Sequence, residues 1–223
     1  YYPFNGNAND ESGNGNDGTV SGATLAEDRF GEADKAYDFD GVGNTITASD
    51  HENFEIADGD VTLAVWIKFT GGARSTAIFG QSPLSGVPDP KWYIYYHADE
   101  GSYFFHVVGD QIYWLAETPF EDDGKWHHLI YVKEGVNYSS YMDGVYITTQ
   151  VGPEVFPNPA TSLHIGKAEL QKDPARDNPM RGGLDDIRIY NRALSSTEVA
   201  ALYGLEKPKD VLPPPSTYQI IEG

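Results

Sequence analysis

The chain begins with a loop that concentrates oxygen-bearing side chains. Residues 9–22 read NDESGNGNDGTVSG, and the first ten of them include three Asn, two Asp, one Glu and three Gly. Carboxylates, amides and carbonyls are the ligands that calcium prefers, and it takes about six to eight of them. The same residues also form turns without an ion, because Gly and Asn tolerate left-handed backbone angles. The loop therefore predicts either a calcium site, without EF-hand spacing, or a set of tight turns.

A second concentration of functional groups is the aromatic segment 91–117, KWYIYYHADEGSYFFHVVGDQIYWLAE. Read as a hairpin, it has two faces, because side chains alternate along a strand. The face predicted to enter the core carries Trp92, Ile94, Tyr96, Tyr103, Phe105 and Val107. The other face carries Tyr93, Tyr95, His97, Phe104 and His106. Rings with polar tips suit a sugar ligand, although aromatic residues are also common in strands that bind nothing.

The remaining candidates for chemistry are histidines. His127 and His128 are adjacent in KWHHL. Neighbours on a strand face opposite ways, so these two rings cannot chelate one ion together. The chain also has no nucleophile-elbow motif and no Ser–His–Asp order. We therefore predict that the protein is not an enzyme.

Short runs of β-branched and aromatic residues recur along the chain, separated by Gly, Asp, Asn and Pro. Their number and spacing favour antiparallel sheets over alternating β and α units. One helix is predicted in ALSSTEVAALYG, where Ser195 and Glu198 form a capping box and Gly204 ends the helix. The predicted fold is all-β: a two-sheet antiparallel β-sandwich with one short C-terminal helix.

Composition excludes several classes of partner. The 223 residues include 34 acidic and 15 basic ones, for a net charge of −19, and no Cys. This charge opposes binding to nucleic acid and to anionic membranes, and it favours neutral or cationic ligands. No stretch approaches the roughly 18 apolar residues of a membrane span. We expect an excised module at 1–205 and a Pro-rich linker at 206–223.

Four segments, taken in order, resemble one family. They are YYPFNGNANDESGNGNDGTVSG, then AYDFDGVGNTITAS leading to VTLAVWIKF, then DGKWHHLIYVKEGVNYSSYMDGVYI, and finally LHIGKAE with MRGGLDDIRIYNRALSSTEVAALY. Together they resemble a LamG-like jelly roll of the concanavalin A-like lectin/glucanase superfamily, related to laminin G and pentraxin domains. The resemblance covers about residues 1–205. It implies two sheets packed face to face as a jelly roll, and it implies that the adjacent histidines mark a strand entry.

The resemblance also implies a structural calcium ion between the opening loop and the last long strand. The side-chain ligands that it implies are Asp10, Asn16 and Asp185, with Asn14 and Thr19 contributing backbone carbonyls. Without an ion, the loop is turn chemistry and Asp185 accepts hydrogen bonds from backbone N–H groups or from Arg181.

Alternation along LDDIRIY extends these predictions. It places Asp185 on the same face as Ile187 and Ile189, where a buried acid needs a partner. Asp186 and Arg188 then point the other way. We expect Arg188 to reach the aromatic face and to take part in ligand binding.

Glucanases of the superfamily carry an E-x-D-x-x-E pair of carboxylates suited to retaining hydrolysis. The nearest approaches here begin at Glu32 and Glu121, but Tyr37 and Trp126 stand where the second Glu is needed. The resemblance therefore implies a non-catalytic, lectin-like carbohydrate-binding module of a larger secreted or cell-surface protein. The alternative is an adhesion module that binds another extracellular protein. A degenerate hydrolase domain would need a cleft with two close carboxylates.

We thus expect a glycan or polysaccharide ligand, structural Ca²⁺, an extracellular location and no nucleic-acid or membrane partner. We also expect a monomeric module within a multidomain chain.

Overall fold

The computed structural model describes residues 1–56, 59–70, 75–82, 91–109, 111–120, 122–155, 158–167 and 179–208. Within these ranges lie fourteen strands: β1 (Gly18–Ser21), β2 (Thr24–Ala26), β3 (Ala36–Asp40), β4 (Thr45–Ala48), β5 (Val61–Phe69), β6 (Thr76–Gln81), β7 (Lys91–His97), β8 (Ser102–Val108), β9 (Ile112–Pro119), β10 (His127–Glu134), β11 (Asn137–Met142), β12 (Val145–Val151), β13 (Leu163–Ile165) and β14 (Arg181–Tyr190). A 3-10 turn spans Glu52–Phe54, and one α-helix, α1, spans Ser196–Glu206.

The strands form two antiparallel sheets of seven strands each. The first sheet has the order β1-β4-β13-β6-β7-β8-β9, and the second has the order β12-β11-β10-β5-β14-β3-β2. Their facing surfaces enclose one large hydrophobic core. The predicted all-β sandwich with a short C-terminal helix is confirmed.

The two faces of the β7–β8 hairpin are those that alternation predicts. All six side chains assigned to the core are buried in it: Trp92, Ile94, Tyr96, Tyr103, Phe105 and Val107. Tyr93 pairs with His106, and Tyr95 pairs with Phe104, on the opposite face of the sheet. This outer face of the first sheet is where the candidate site lies.

Strand β14 departs from simple alternation. Asp185 pairs with Trp66, but the next residue in register with β5 is Arg188, which pairs with Ala64. Asp186 is the extra residue of this bulge and has φ +47°. The bulge turns Asp185 away from the core while Leu184 and Ile187 stay in it. The prediction that Asp185 shares a face with Ile187 is therefore wrong.

Helix α1 begins as predicted, and it ends later. Ser195 is the N-cap, and its reciprocal bonds with Glu198 complete the capping box. The helix runs through Gly204 to Glu206, because Glu206 is held by the outer face of the second sheet. Val199 and Leu194 pack there against Ala64 and its neighbours.

Among the residues described, no helix is long and apolar enough to cross a membrane. Most of the predicted linker, residues 209–223, lies outside the described residues.

Candidate functional site

A cluster of six rings covers part of the outer face of the first sheet. Its members are Tyr93, Tyr95, His97, Phe104, His106 and Trp114, and we call it the Trp114 cluster. The Trp114 ring lies 3.9 Å from the His106 ring and 5.3 Å from each of the Tyr95 and His97 rings, measured between centroids. Phe104 lies 5.6 Å from the same indole. Trp114 is thus the centre of the cluster.

The cluster is assembled by cross-strand register. Gly80 on β6 pairs with Tyr93 on β7, Tyr93 pairs with His106 on β8, and His106 pairs with Trp114 on β9. A Cβ atom on Gly80 would lie 2.7 Å from the Tyr93 ring, so this position leaves no space for a side chain. The missing side chain leaves room for the Tyr93 ring, which stacks with the His106 ring at 6.0 Å between centroids.

Exposure separates a supporting layer from a contact residue. Tyr93, Phe104 and His106 are 2%, 7% and 7% exposed, whereas Trp114 is 37% exposed. A large indole that is only partly covered, and braced by rings on several sides, offers a rigid apolar surface to a ligand. Trp114 was not among the predicted ligand residues.

The supporting layer is uncharged near neutral pH. Burial lowers the pKa of His106 to about 3, and the neighbouring Lys91 lowers it further, against a hydrogen bond to the backbone of Tyr113. None of the described residues gives a partner to Nδ1 of His97 or of His106. Next to the cluster, Ser102 pairs with His97, and its hydroxyl donates a hydrogen bond of 3.0 Å to Glu117 Oε1. Two imidazole rings, those of His97 and His106, therefore lie against the indole.

Arg188 is not part of this cluster, so the expectation that it reaches the aromatic face is wrong. It lies on the second sheet, where its guanidinium is 2.5 Å from Glu206 and 3.8 Å from the centroid of the Tyr1 ring. The physical reason is topological, since β14 and the aromatic hairpin belong to different sheets.

The opening loop lines a separate pocket of about 370 Å³, which we call the loop pocket. The oxygen-bearing residues that line it are Tyr1, Tyr2, Asp10, Ser12, Asn14, Asn16, Glu52, Asn53, Glu55, Asp60, Tyr190 and Asn191. Three predicted metal ligands, Asp10, Asn14 and Asn16, therefore meet in one place. The other two do not line the pocket: Thr19 lies exposed on β1, and Asp185 lies on β14.

Asp10 organises the wall of the loop pocket. One carboxylate oxygen accepts bonds of 2.9 Å from the Tyr1 amine and from the Ser12 N–H, and the other accepts from the Asn16 N–H at 3.2 Å. Burial raises the pKa of Asp10, but the hydrogen bonds and the Tyr1 amine outweigh it and hold the pKa below its ordinary value. These bonds use three of roughly four acceptor positions on the carboxylate, which leaves one for a cation.

Asp185 belongs to a buried ionic cluster beneath α1. The Arg29 guanidinium bonds to Asp185 and, at 2.6 Å, to Asp186. Arg188 pairs with Glu206, whose other oxygen accepts from the Trp66 indole N–H at 3.0 Å. Three carboxyls thus share two guanidinium groups. Burial and the neighbouring Asp186 raise the pKa of Asp185 to about 8, although the Arg29 guanidinium opposes the rise.

The raised pKa of Asp185 makes stability depend on pH. An unfolded Asp titrates near 3.9, so the stabilisation from this group is complete below about pH 4 and is lost as pH rises through about 8. Asp185→Asn cannot titrate. We expect the free energy of unfolding of the wild type, relative to this variant, to fall by more than about 1 kcal/mol between pH 4 and pH 8. Urea titrations of both proteins at several pH values measure this difference in unfolding free energy. A difference that stays constant between pH 4 and pH 8 would contradict the prediction.

The adjacent histidines face opposite ways, as predicted. His127 bonds to Asp143 at 2.7 Å and to Asp123 at 3.1 Å. The bond to Asp143 raises the pKa of His127 against the effect of burial. His128 is fully buried and stacks on Trp66 at 4.8 Å, where burial lowers its pKa to about 3. Among the described residues, no group of three or more His, Asp or Glu is placed to hold a metal.

The sequence of residues 40–200 matches the Laminin_G_3 family, described as the concanavalin A-like lectin/glucanases superfamily. The chain belongs to this superfamily. The match spans β4 to α1 and includes every member of the Trp114 cluster. No curated protein matches the chain by sequence.

Solved structures share the concanavalin A-like fold. Domain 4 of AbnA, a GH43 extracellular arabinanase from Geobacillus stearothermophilus solved with arabinotriose, is 21% identical with a TM-score of 0.69, and the match covers 91% of this chain and 96% of that one. The binding domain of botulinum neurotoxin DC was solved with SialylT (14%, TM-score 0.65) and with rat synaptotagmin II (13%, TM-score 0.65). Each toxin match covers 88% of this chain and 48% of the other, so this chain spans about half of those domains.

The glucanase carboxylate pair has no counterpart among the described residues of the two nearest approaches. Glu32 and Asp34 are exposed in the loop before β3. Glu121 lies outside the described residues, while Asp123 is engaged by Lys125 at 2.7 Å and by His127.

Proposed function

We propose that this chain is a non-catalytic carbohydrate-binding module of a larger secreted or cell-surface protein, and that Trp114 is its principal contact with the glycan. The observation that carries the proposal is the exposed Trp114 ring, held in place by His106, Tyr95 and His97 at 3.9–5.3 Å. An indole face stacks on the apolar C–H surface of a sugar ring. The half-buried His97 imidazole and Tyr95 ring beside it present polar groups of the kind that bond to sugar hydroxyls.

Neutral glycans suit this site best. The net charge of −19 repels anionic polysaccharides, and the His106 ring beneath Trp114 is uncharged. The arabinanase domain solved with arabinotriose supports a search that begins with neutral plant polysaccharides. An extracellular location agrees with the neighbour described as an extracellular arabinanase.

Acrylamide quenching of tryptophan fluorescence tests the assignment to Trp114. Trp66 and Trp92 are 1% and 0% exposed, so Trp126→Phe leaves Trp114 as the one accessible indole among the four Trp residues. We expect saturating arabinan, xylan or galactomannan to lower the quenching constant of this variant by half or more. A polysaccharide that binds without changing the quenching would place the site elsewhere.

An adhesion module is the second candidate function. The observation that favours it is the apolar surface of β12, where Val145 and Val151 are 63% and 73% exposed. The toxin domain solved with synaptotagmin II shows that this fold also occurs in a protein bound to another protein. In that case, substitutions on β12 rather than on Trp114 would abolish binding.

We further propose that a structural Ca²⁺ ion binds in the loop pocket. Asp10, with its one remaining acceptor position, and Asn14 support this, and calcium accepts backbone carbonyls and water as its other ligands, so it does not need a third Asp or Glu side chain here. Asn16 lines the same pocket and stays a candidate ligand, whereas Asp185 is engaged by Arg29 and Thr19 does not line the pocket. This ligand set is narrower than the one that the sequence implied.

Thermal melting with EDTA and with millimolar calcium tests the ion. An ion that binds only the folded state stabilises by about 2.7 kcal/mol at a hundred times its Kd. We expect calcium to raise the Tm of the wild type and of Asp185→Asn, and we expect no such rise in Asp10→Asn. Equal melting curves with EDTA and with calcium would contradict the proposed calcium site. A calcium response that survives in Asp10→Asn would show that calcium binds outside the loop pocket.

A further inference from the structure

The chain contains two Asn–Gly pairs, and both lie close to its first residue. They are Asn5–Gly6, ahead of the oxygen-rich loop, and Asn14–Gly15, inside it. In such a pair the backbone nitrogen of the glycine can attack the side-chain carbonyl carbon of the asparagine, because glycine has no Cβ to hinder the approach. The sequence alone gives no reason for the two pairs to react at different rates.

The attacking nitrogen of the first pair is engaged in hydrogen bonds. The Gly6 N–H points at two backbone carbonyls, those of Phe4 and Asp34, and each oxygen is 2.8 Å from the nitrogen. The Asp34 carbonyl belongs to the loop before β3, so this bond ties the start of the chain to a distant segment. Both Asn5 and Gly6 are exposed, but the nitrogen must leave both carbonyls before it can attack. The fold therefore protects Asn5.

The attacking nitrogen of the second pair has no such bond. None of the described residues accepts a hydrogen bond from the Gly15 N–H, although the neighbouring Asn16 N–H is bonded to Asp10. Gly15 has φ +74°, and a Cβ atom there would meet nothing within 4 Å, so the space around it is open. Asn14 is exposed, and its Nδ2 donates a 2.9 Å bond to the Ser12 hydroxyl. This bond holds the amide nitrogen of the side chain and not its carbonyl group.

We propose that Asn14 is a site of spontaneous deamidation, from which the fold protects Asn5. The Gly15 nitrogen forms a bond to the side-chain carbonyl carbon of Asn14 and loses its proton. The amide nitrogen of Asn14 takes up a proton and leaves as ammonia, and the product is a succinimide ring. Water then adds to either imide carbonyl and opens the ring, which yields an aspartyl or an isoaspartyl residue. One water molecule is consumed for each ammonia released, and nothing is oxidised or reduced.

The modification changes the charge of the loop pocket. Asn14 lines this pocket together with Asp10 and other acidic residues. Deamidation turns a neutral carboxamide into a carboxylate, which accepts hydrogen bonds and cannot donate the present bond to Ser12. A charge-changing modification acts through such local contacts and through repulsion between like charges. The loop pocket therefore becomes more acidic as the chain ages, whether or not the Trp114 cluster binds a glycan or the pocket binds calcium.

Peptide mapping of the incubated protein tests the proposal. The whole chain is kept at mildly alkaline pH with EDTA, so that no bound cation affects Asn14, and samples are then cleaved after glutamate in acid. Cleavage after Glu11 places the two Asn–Gly pairs in different peptides. Chromatography with mass spectrometry measures the loss of carboxamide in each peptide and separates the isoaspartyl from the aspartyl form. We expect Asn14 to react at least about tenfold faster than Asn5, because reaction at Asn5 requires local opening that breaks the Gly6 hydrogen bonds.

The unfolded chain is the matched control. In guanidinium chloride neither pair keeps the bonds that the fold imposes, so we expect Asn5 and Asn14 to react at similar rates. Asn14→Gln keeps a carboxamide but must close a larger ring, and we expect this variant to lack the first acidic species that the ageing wild type forms on anion exchange. Equal rates for the two pairs in the folded chain would overturn the proposal, and so would an Asn14 that reacts only after unfolding.

Discussion

Trp114→Ala is expected to lower the affinity of the domain for its neutral polysaccharide by tenfold or more, which corresponds to about 1.4 kcal/mol or more. The indole is the most exposed member of the cluster, and Tyr93, Phe104 and His106 are buried, so its removal takes away the stacking surface and leaves these supports in place. The loss is larger than for an isolated surface aromatic, because His106, Tyr95 and His97 already hold the ring in position. Isothermal titration gives the affinity, and circular dichroism reports the fold.

A matched control comes from the opposite sheet. Tyr146 is 53% exposed on β12, so Tyr146→Ala removes a comparable aromatic surface far from the cluster. We expect unchanged affinity in this variant. Equal losses in the two variants, or none in Trp114→Ala, would be incompatible with a glycan site on the outer face of the first sheet.

Arg29→Met is expected to destabilise the domain by about 3–5 kcal/mol, the usual cost of leaving a buried carboxylate without its partner. The Arg29 side chain is 5% exposed and serves two carboxyls, those of Asp185 and Asp186. It also donates to the Glu206 carbonyl at 2.6 Å and lies 4.8 Å from the Trp66 ring centroid. Loss of this side chain therefore weakens the contacts of both β14 and α1. Urea unfolding monitored by fluorescence measures the resulting change in the free energy of unfolding.

The pH dependence of this loss separates charge from packing. Without the guanidinium the carboxyls take up protons more readily, so we expect the destabilisation to be smaller at pH 5 than at pH 8. Arg192→Ala is the control, because the exposed pair of Arg192 and Glu198 contributes at most about 1 kcal/mol. A loss for Arg29→Met no larger than for Arg192→Ala would contradict the buried cluster.

Local pattern predicts the fold well wherever strands are regular. The alternation of Trp92, Tyr93 and Ile94 assigns both faces of the hairpin correctly, because no bulge interrupts the pairing of β7 with β8. The helix start at Ser195 follows from a capping box, which is a signal contained within four residues. These features need no knowledge of the rest of the chain.

The errors arise where distant parts of the chain decide the outcome. The bulge at Asp186 reverses the side on which Asp185 lies, and the partner that stabilises it, Arg29, is 156 residues away in sequence. Gly204 does not end α1, because Glu206 beyond it is anchored by Trp66. Trp114 could have been found from the sequence, since an indole beside Leu115 in a β-rich run must lie on the face opposite that core residue.

The most direct test of the central proposal measures binding and cleavage in the same experiment. The wild-type chain is run through native gels that contain arabinan, xylan or galactomannan, and the same mixtures are assayed in solution for new reducing ends. A non-catalytic carbohydrate-binding module is retarded by at least one polysaccharide and releases no reducing ends from it. Unaltered mobility in every gel would contradict carbohydrate binding at the Trp114 cluster, and release of reducing ends would contradict a non-catalytic module.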